Sequence, residues 1–323
     1  MSAGAGVTSV GSILGGAFGV VRRNPLAVLV WGVLYVAAIG LLFVAMRPIF
    51  AVYSEIFSQA LARGGKQPLT PEDLRPYMDR AQSAGAIAFL AEIGIFSFLM
   101  VLVSASQRAV LRPLDRGFAY LRVGGDELRL IGLGIFLMVC LGIGMFLAML
   151  AGLIVVGITL AIAAAVGASP AFVGLLLLAQ YCLLMGATIY AQVRLSLAFP
   201  LTFLRRTFVV GEAWRLSNGR FWTLFGAYFL IALIYMALAL VLMGFALAPF
   251  FSEVAANPSS PDAFHLALQH QAERFSTLDA TNAGLLLGFV LLAGFSIALF
   301  GGAMATAVRD LVGDEMGAPT TFA

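Results

Sequence analysis

Few side chains in this chain of 323 residues could do chemistry, and one of them stands out by its position. Glu92 lies within the apolar run 86–106, where a carboxylate is costly and should be protonated, paired or in contact with water. An acid in such a place is a candidate for handling protons or cargo, and Gln180 and Tyr181 of another apolar run are candidate partners. The alternative is an acid tolerated near the membrane surface and hydrogen-bonded to a neighbouring helix. The sequence leaves both interpretations open.

Residues suited to hydrolytic, redox or metal chemistry are scarce. The two histidines, His265 and His270, are five positions apart, which on a helix separates them by about 140° and does not suit shared metal binding. Cys140 and Cys182 lie in apolar runs and are predicted to be buried free thiols. No nucleophile elbow, phosphate-binding loop or dinucleotide fingerprint occurs. The sequence therefore predicts no catalytic residue, no metal site and no cofactor, in a protein that is not an enzyme.

Arginine is the residue type whose clustering indicates binding. The segments 108–129 and 194–220 contain five arginines each. The planar guanidinium donates two hydrogen bonds at once to a phosphate, so these segments are candidates for binding anionic lipid headgroups. The alternative is that the arginines only set the orientation of the chain in a membrane. The predicted headgroup-binding residues are Arg108, Arg112, Arg122, Arg194, Arg205, Arg206 and Arg215.

The elements that must position these residues are long and apolar. The chain is 61% hydrophobic and 11% charged, with a mean hydropathy of +1.00, whereas soluble domains are about 45–50% apolar and 25% charged. Uncharged stretches of about 20 residues, long enough to cross a bilayer, recur along the sequence. This composition excludes a soluble enzyme, a DNA-binding domain and a secreted disulfide scaffold. A net charge of +3 does not indicate nucleic-acid binding.

Six membrane spans are predicted from apolar length. The uncharged stretch 130–193 could form two long helices or three short ones, and the breaker at 167–170 favours two. Two crossings also place both arginine-rich segments on the same side. That side then carries thirteen basic residues against six on the other, which predicts that both termini are cytoplasmic. The spans are 26–46, 86–106, 130–167, 171–193, 222–249 and 283–306.

The loops on the other side also contain helix signals. Thr70 is a good N-cap residue and Pro71 suits the first helical position, so a short helix should begin there and lie on the outer face. A second outer helix is predicted from about Asp262 to Arg274.

Three segments that precede the odd-numbered spans share a local pattern, in which an aromatic residue is followed five or six positions later by a helix stop. We interpret them as interfacial amphipathic helices, each followed by a transmembrane hairpin. This makes 1–106, 107–200 and 201–323 internal repeat units of a single membrane domain, 1–323. The alternative is that juxtamembrane segments are generally rich in aromatics and arginines. The predicted interfacial anchors are Phe18, Phe118 and Trp214.

Glycine and apolar spacing give two packing predictions. In the first amphipathic segment an apolar stripe should dip into lipid, while a stripe of glycines four apart should press against a transmembrane neighbour. A second group of glycines in the third span is also predicted to pack against a helix. The apolar stripe is Val10, Ile13, Leu14, Phe18 and Val21, the first glycine stripe is Gly11, Gly15 and Gly19, and the second group is Gly132, Gly134, Gly142 and Gly144.

Two stretches give the chain a resemblance to a known family. Residues 193–200 (VRLSLAFP) and 211–222 (GEAWRLSNGRFW) resemble the arginine, the small residues and proline, and then the tryptophan turn, of the bacterial inner-membrane family called the glycerophosphoryl diester phosphodiesterase membrane domain. Residues 11–25 are similar to its amphipathic start, and 112–122 resemble uncharacterised alphaproteobacterial membrane proteins. The resemblance implies a membrane fold in the bacterial inner membrane. It implies no activity, because the phosphodiesterase chemistry of that family belongs to a separate soluble barrel.

The sequence thus predicts an all-α polytopic membrane protein with six transmembrane helices in three hairpins, each preceded by a cytoplasmic interfacial amphipathic helix. Its predicted function is to organise or handle lipid at the cytoplasmic leaflet without enzymatic activity. The expected partners are anionic membrane lipids, with a membrane protein or a second copy of the chain, and no nucleic acid. The alternative function is a small transporter or channel that uses Glu92.

Overall fold

The computed structural model describes residues 8–62, 70–115, 117–167, 169–256, 263–277 and 279–316. Within these ranges every regular element is helical, and six helices are long and apolar enough to cross a membrane. The chain is therefore an all-α, multi-pass membrane protein, as predicted. The α-helices are α1 (Val10–Arg23), α2 (Pro25–Ala62), α3 (Pro71–Leu111), α4 (Gly125–Val166), α5 (Pro170–Leu195), α6 (Ala198–Arg205), α7 (Val210–Leu216), α8 (Phe221–Ala256), α9 (Ala263–Ser276) and α10 (Ala280–Met316).

Each predicted span lies in one long helix, namely α2, α3, α4, α5, α8 or α10. The uncharged middle of the chain forms two helices, as predicted. Gly167 ends α4 in the left-handed conformation with φ 64°, which glycine adopts without steric cost. Ser169 then caps α5, because its side chain accepts a hydrogen bond from the backbone N–H of Phe172.

The helical signals outside the spans give one confirmation and one correction. Helix α9 corresponds to the predicted outer helix at 262–274. Thr70 does form a reciprocal capping box with Asp73, but the helix that starts there is not a separate short one. It continues through Pro76 as the 41-residue α3, although a proline at the sixth helical position removes one backbone hydrogen bond.

Helix α10 is the centre of the packing and contacts α1, α2, α3, α6 and α8. Its closest neighbour is α2, where Gly32 and Gly294 let the two backbones meet. A Cβ atom at Gly32 would overlap the carbonyl oxygen of Val290, and one at Gly294 would overlap that of Val28. Such small-residue contacts are the usual means of close helix approach in membranes.

Helix α1 continues the line of α2 along α10. Gly16 packs on Thr306, and Val20 packs on Gly302. Together with Ile13 and Ala17, Val20 is buried inside the protein. Of the predicted apolar stripe, Ile13 is buried, whereas Phe18 is 39% exposed. The other three members, Val10, Leu14 and Val21, are partly buried against the protein core, so most of the stripe contacts protein and not lipid, which corrects the prediction. The predicted glycine stripe is also wrong: a Cβ at Gly15 or Gly19 would meet no atom within 4 Å, and one at Gly11 would meet only the nearby side chain of Ser9.

The hairpin of α4 and α5 is packed loosely over most of its length. A Cβ at Gly134 would crowd Phe96, as predicted, but one at Gly142 or Gly144 would meet nothing within 4 Å. Cys140 and Cys182 are free thiols on exposed surfaces of this hairpin, so the prediction that they are buried is wrong. Both errors have the same cause, because apolar sequence marks burial in lipid as well as burial in protein.

Candidate functional site

The arginine-rich end of the molecule comprises α1, α6, α7, the connection 112–124 and the adjoining turns of α3, α4 and α5. Its most buried charges are Arg108 of α3 and Glu127 of α4, with side chains 3% and 1% exposed. They form a direct ion pair. Arg108 also donates to the carbonyl oxygen of Tyr120 at 2.6 Å, and Ser104 donates to the Glu127 carboxylate at 3.3 Å. This pair is neutral and engaged within the protein.

A second layer of ion pairs surrounds Asp126, next to Glu127. Arg112 lies 3.0 Å and Arg129 lies 2.8 Å from its carboxylate, with Arg206 at 3.9 Å. Arg112 also donates to the carbonyl oxygen of Phe203 at 3.1 Å, and its guanidinium carbon lies 4.5 Å from the centre of that aromatic ring. Arg112 therefore joins α3 to α4 and α6 instead of pointing freely outward.

The connection between α3 and α4 is held in an unusual backbone conformation. Ala119 and Tyr120 have positive φ angles of 50° and 58°, which are unfavourable for residues with a Cβ. The indole N–H of Trp31 donates to the carbonyl oxygen of Ala119 at 2.9 Å, and the Tyr120 hydroxyl donates to Asn24 at 3.1 Å. These bonds fasten the connection to the first hairpin. Residues Phe118–Tyr120 form one tight turn that is not helical at Ala119, so the described residues of this connection contain no amphipathic helix where one was predicted before the second hairpin.

Arg194 of α5 is buried without a carboxylate partner among the described residues. Its guanidinium donates to Ser217 at 3.0 Å, to the Tyr190 hydroxyl at 2.7 Å and to the carbonyl oxygen of Trp214. The guanidinium carbon lies 4.2 Å from a ring centre of Trp214, which is a close cation–π contact. Three neutral oxygens and two aromatic rings thus surround this cation.

Arg108 and Arg194 have equivalent positions in the chain. Each lies in the last turns of the second helix of a hairpin, and each binds a backbone carbonyl in the segment that precedes the next hairpin. In both cases a buried guanidinium thus fixes one backbone carbonyl of the segment that follows. This shared contact agrees with the predicted repeat, which stays a prediction.

Other arginines of this end have exposed side chains. The side chain of Arg206 is 65% exposed and that of Arg122 is 67% exposed, with carboxylates no closer than 3.6 Å. Arg215 is exposed and forms no ion pair with a described residue, whereas Arg205 pairs with Glu212 at 3.0 Å. Exposed aromatic side chains lie close to them in the sequence, namely Phe208, Trp214 and Trp222. We call the surface of residues 205–222 the basic aromatic surface.

The three predicted anchors differ in their surroundings. Phe118 is 78% exposed, so its side chain is free to insert into lipid. Trp214 carries Arg194 on its face and contacts Tyr190 edge-on. Phe18 packs edge-on against Phe295 of α10, with the ring centres 6.0 Å apart. Trp214 and Phe18 therefore have structural contacts in addition to an exposed edge.

The residues predicted inside the membrane do not meet. Glu92 is exposed on α3 and forms no hydrogen bond or ion pair with any residue that the structure describes. A groove of about 460 Å³ between α2 and α3 includes its neighbour Ala91 but not Glu92, and its lining is apolar. Gln180 donates instead to the carbonyl oxygen of Gly152 at 2.8 Å, and Tyr181 is exposed.

At the opposite end of the molecule, one histidine contacts an acid. His270 of α9 pairs with Glu253 of α8 and is half exposed, while the side chain of His265 lies outside the described residues. Within the described ranges no group of three His, Cys, Asp or Glu side chains could hold a metal ion.

Sequence reasoning missed the acids that neutralise the first arginine segment. Asp126 and Glu127 lie in the first turn of α4, directly after the stop at Gly124. Acids are favoured there by the helix dipole, so their place was readable, but their partners on α3 were not.

No protein-family model, curated protein or solved structure matches this chain.

Proposed function

We propose that this protein binds anionic lipid headgroups with the basic aromatic surface and so organises lipid at one leaflet, without enzymatic activity. The observation that carries the proposal is that Arg206 and Arg215 are exposed in the same segment, 205–222, as Trp222, which is 77% exposed. Exposed guanidinium groups bind phosphate, and tryptophan is favoured at the level of the headgroups. A basic side chain near an anionic membrane surface contributes about 1 kcal/mol of attraction.

The proposal places the protein in a bacterial inner membrane, with the arginine-rich end and both termini in the cytoplasm. The bias of basic residues supports this orientation, and the resemblance to the phosphodiesterase membrane-domain family supports the location. A membrane protein or a second copy of the chain is proposed as a partner for the loosely packed hairpin of α4 and α5.

Lipid retention tests the headgroup proposal. The double variant Arg206→Ala/Arg215→Ala should co-purify with fewer phosphatidylglycerol molecules than the unmodified protein when lipids are counted by native mass spectrometry. The matched control is Arg47→Ala/Arg75→Ala, which removes two exposed arginines from the opposite end and should change the count little. Equal losses in both double variants would refute the proposal, because retention would then follow net charge alone.

Cysteine labelling tests the orientation. In a variant without Cys140 and Cys182, a cysteine at Val123 should react with an impermeant thiol reagent only after permeabilisation. A cysteine at Met78 should react in intact cells, since both side chains are exposed but lie at opposite ends. Labelling of the Val123 position in intact cells would contradict cytoplasmic termini.

A further inference from the structure

An apolar groove of about 580 Å³ runs beside α10 between α2 and α8. Its volume lies in the range of small-molecule sites in proteins, about 300–1,000 Å³. It is lined by α2 through Val28 and Leu29, by α8 through Leu238 and Val241, and by α10 through Leu291, among others. All of the lining residues are apolar, so the groove can hold hydrocarbon but offers no side chain for a polar ligand.

The groove exists because two helices pack on a third without packing on each other. Helices α2 and α8 both contact α10 but scarcely touch one another. Gly32 and Gly294 draw α2 close to α10. On the other side Gly288 provides no side chain, and a Cβ there would come within 2.8 Å of Leu242. The missing side chain at Gly288 therefore lets Leu242 of α8 pack directly on α10.

One end of the groove lies next to positive charge. Val21 and Pro25 line it there, and the residues between them include Arg22 and Arg23, which are exposed and form no ion pair with a described residue. The guanidinium group of arginine donates two hydrogen bonds at once to a phosphate, so Arg22 and Arg23 suit the headgroup of an anionic lipid.

We propose that this groove binds one anionic phospholipid, with an acyl chain along α10 and its phosphate at Arg22 and Arg23. The apolar lining matches the chain, and the charge at one end matches the headgroup. This inference rests on the proposed function in that the ligand is a lipid. The site itself is separate from the basic aromatic surface, so the two can be tested separately.

The test is competitive retention of phosphatidylglycerol and phosphatidylcholine by the full chain in nanodiscs of both lipids, followed by native mass spectrometry. The unmodified protein should keep one phosphatidylglycerol after the other lipids are stripped. Val241→Trp places an indole at the lip of the groove and should abolish that retention. Its control, Leu240→Trp, substitutes a neighbour of similar exposure on α8 that does not line the groove, and it should retain the lipid.

A second variant with its own control keeps the test valid if Val241→Trp misfolds. Leu291→Trp lies in the groove and Leu287→Trp on the same helix does not, at nearly equal exposures of 52% and 54%. Only Leu291→Trp should lose the lipid. The headgroup variant Arg22→Ala/Arg23→Ala should lower the preference for phosphatidylglycerol over phosphatidylcholine by about thirtyfold, at about fivefold for each arginine.

The outcomes separate this inference from the function on which it rests. Retention of the same single lipid by Val241→Trp and Leu291→Trp would overturn the groove site, whatever the result at Arg206 and Arg215. Loss of the lipid in Leu240→Trp and Leu287→Trp as well would overturn it too, because loss would then not depend on the groove. Retention that depends on the groove but shows no preference between the two lipids would overturn the assignment of an anionic lipid, because phosphatidylcholine also carries a phosphate but has no net charge.

Discussion

The segments 108–129 and 194–220 each contain five arginines, yet the structure uses them differently. In the first segment Asp115, Asp126 and Glu127 lie among the arginines, and Arg108 and Arg112 are drawn into ion pairs between helices. The second segment contains one acid, Glu212, which pairs with Arg205. The acids between the arginines, and not the number of arginines, therefore decide how much positive charge remains for a ligand.

Arg194 adds a third way to hold an arginine. It is buried like Arg108 but is surrounded by neutral oxygens and aromatic rings, and it pairs with no described carboxylate. The charge is thus not neutralised, although each of the three guanidinium nitrogens donates a hydrogen bond. Of the seven arginines predicted to bind headgroups, Arg108 and Arg194 are therefore the two whose guanidinium groups the protein itself surrounds.

Breaking the buried pair of Arg108 and Glu127 should change stability more than any other substitution considered. Arg108→Met leaves the Glu127 carboxylate buried without its cation, which should cost about 3–5 kcal/mol of stability. The double variant Arg108→Met/Glu127→Leu removes both charges and should be clearly more stable than Arg108→Met alone. Thermal unfolding of the purified protein in one detergent measures both. If the two single losses simply add in the double variant, the side chains do not act as a pair.

A smaller effect is expected from Arg194→Lys. Lysine keeps the charge but cannot donate to Ser217, Tyr190 and the Trp214 carbonyl in the planar arrangement of a guanidinium. Loss of charge-assisted hydrogen bonds should lower the free energy of unfolding by about 1.5–3 kcal/mol. Arg215→Lys, on an exposed side chain, is the control and should leave the melting temperature nearly unchanged. Equal melting temperatures for the two variants would show that the contacts of Arg194 add no stability.

Local patterns predicted the helices of this fold well, because each depends on residues close in sequence. The left-handed stop at Gly167 and the capping box of Thr70 and Asp73 are examples. Local patterns failed where the packing of a neighbouring helix decides which residue makes the contact. Gly15 belongs to the regular glycine stripe, but Gly16 is the residue that faces α10. The partner of Glu127 was equally hidden, since no local signal shows which residue of α3 packs against the start of α4.

A change at Arg206 should separate stability from binding. Arg206 has a φ angle of 57°, a conformation that costs a residue with a Cβ about 1–2 kcal/mol and glycine much less. Arg206→Gly should therefore raise stability by up to about 1 kcal/mol while it lowers phosphatidylglycerol retention. Arg206→Ala is the control, because it removes the charge and keeps the strain. A parallel fall of stability and retention in Arg206→Gly would mean that the arginine has a structural role like that of Arg108.

The smallest effect is expected at Glu92, which tests the alternative function. Its carboxylate is exposed on α3 and pairs with no described residue, so Glu92→Gln preserves the shape of the side chain and removes no known contact. Under the lipid proposal the variant should express normally, unfold within about 0.5 kcal/mol of the unmodified protein and retain the same lipids. A proton-coupled transporter would behave differently, because its acid must alternate between protonated and charged forms. A well-folded Glu92→Gln protein that loses proton-dependent uptake in vesicles, while Arg206→Ala/Arg215→Ala keeps it, would favour transport over lipid organisation.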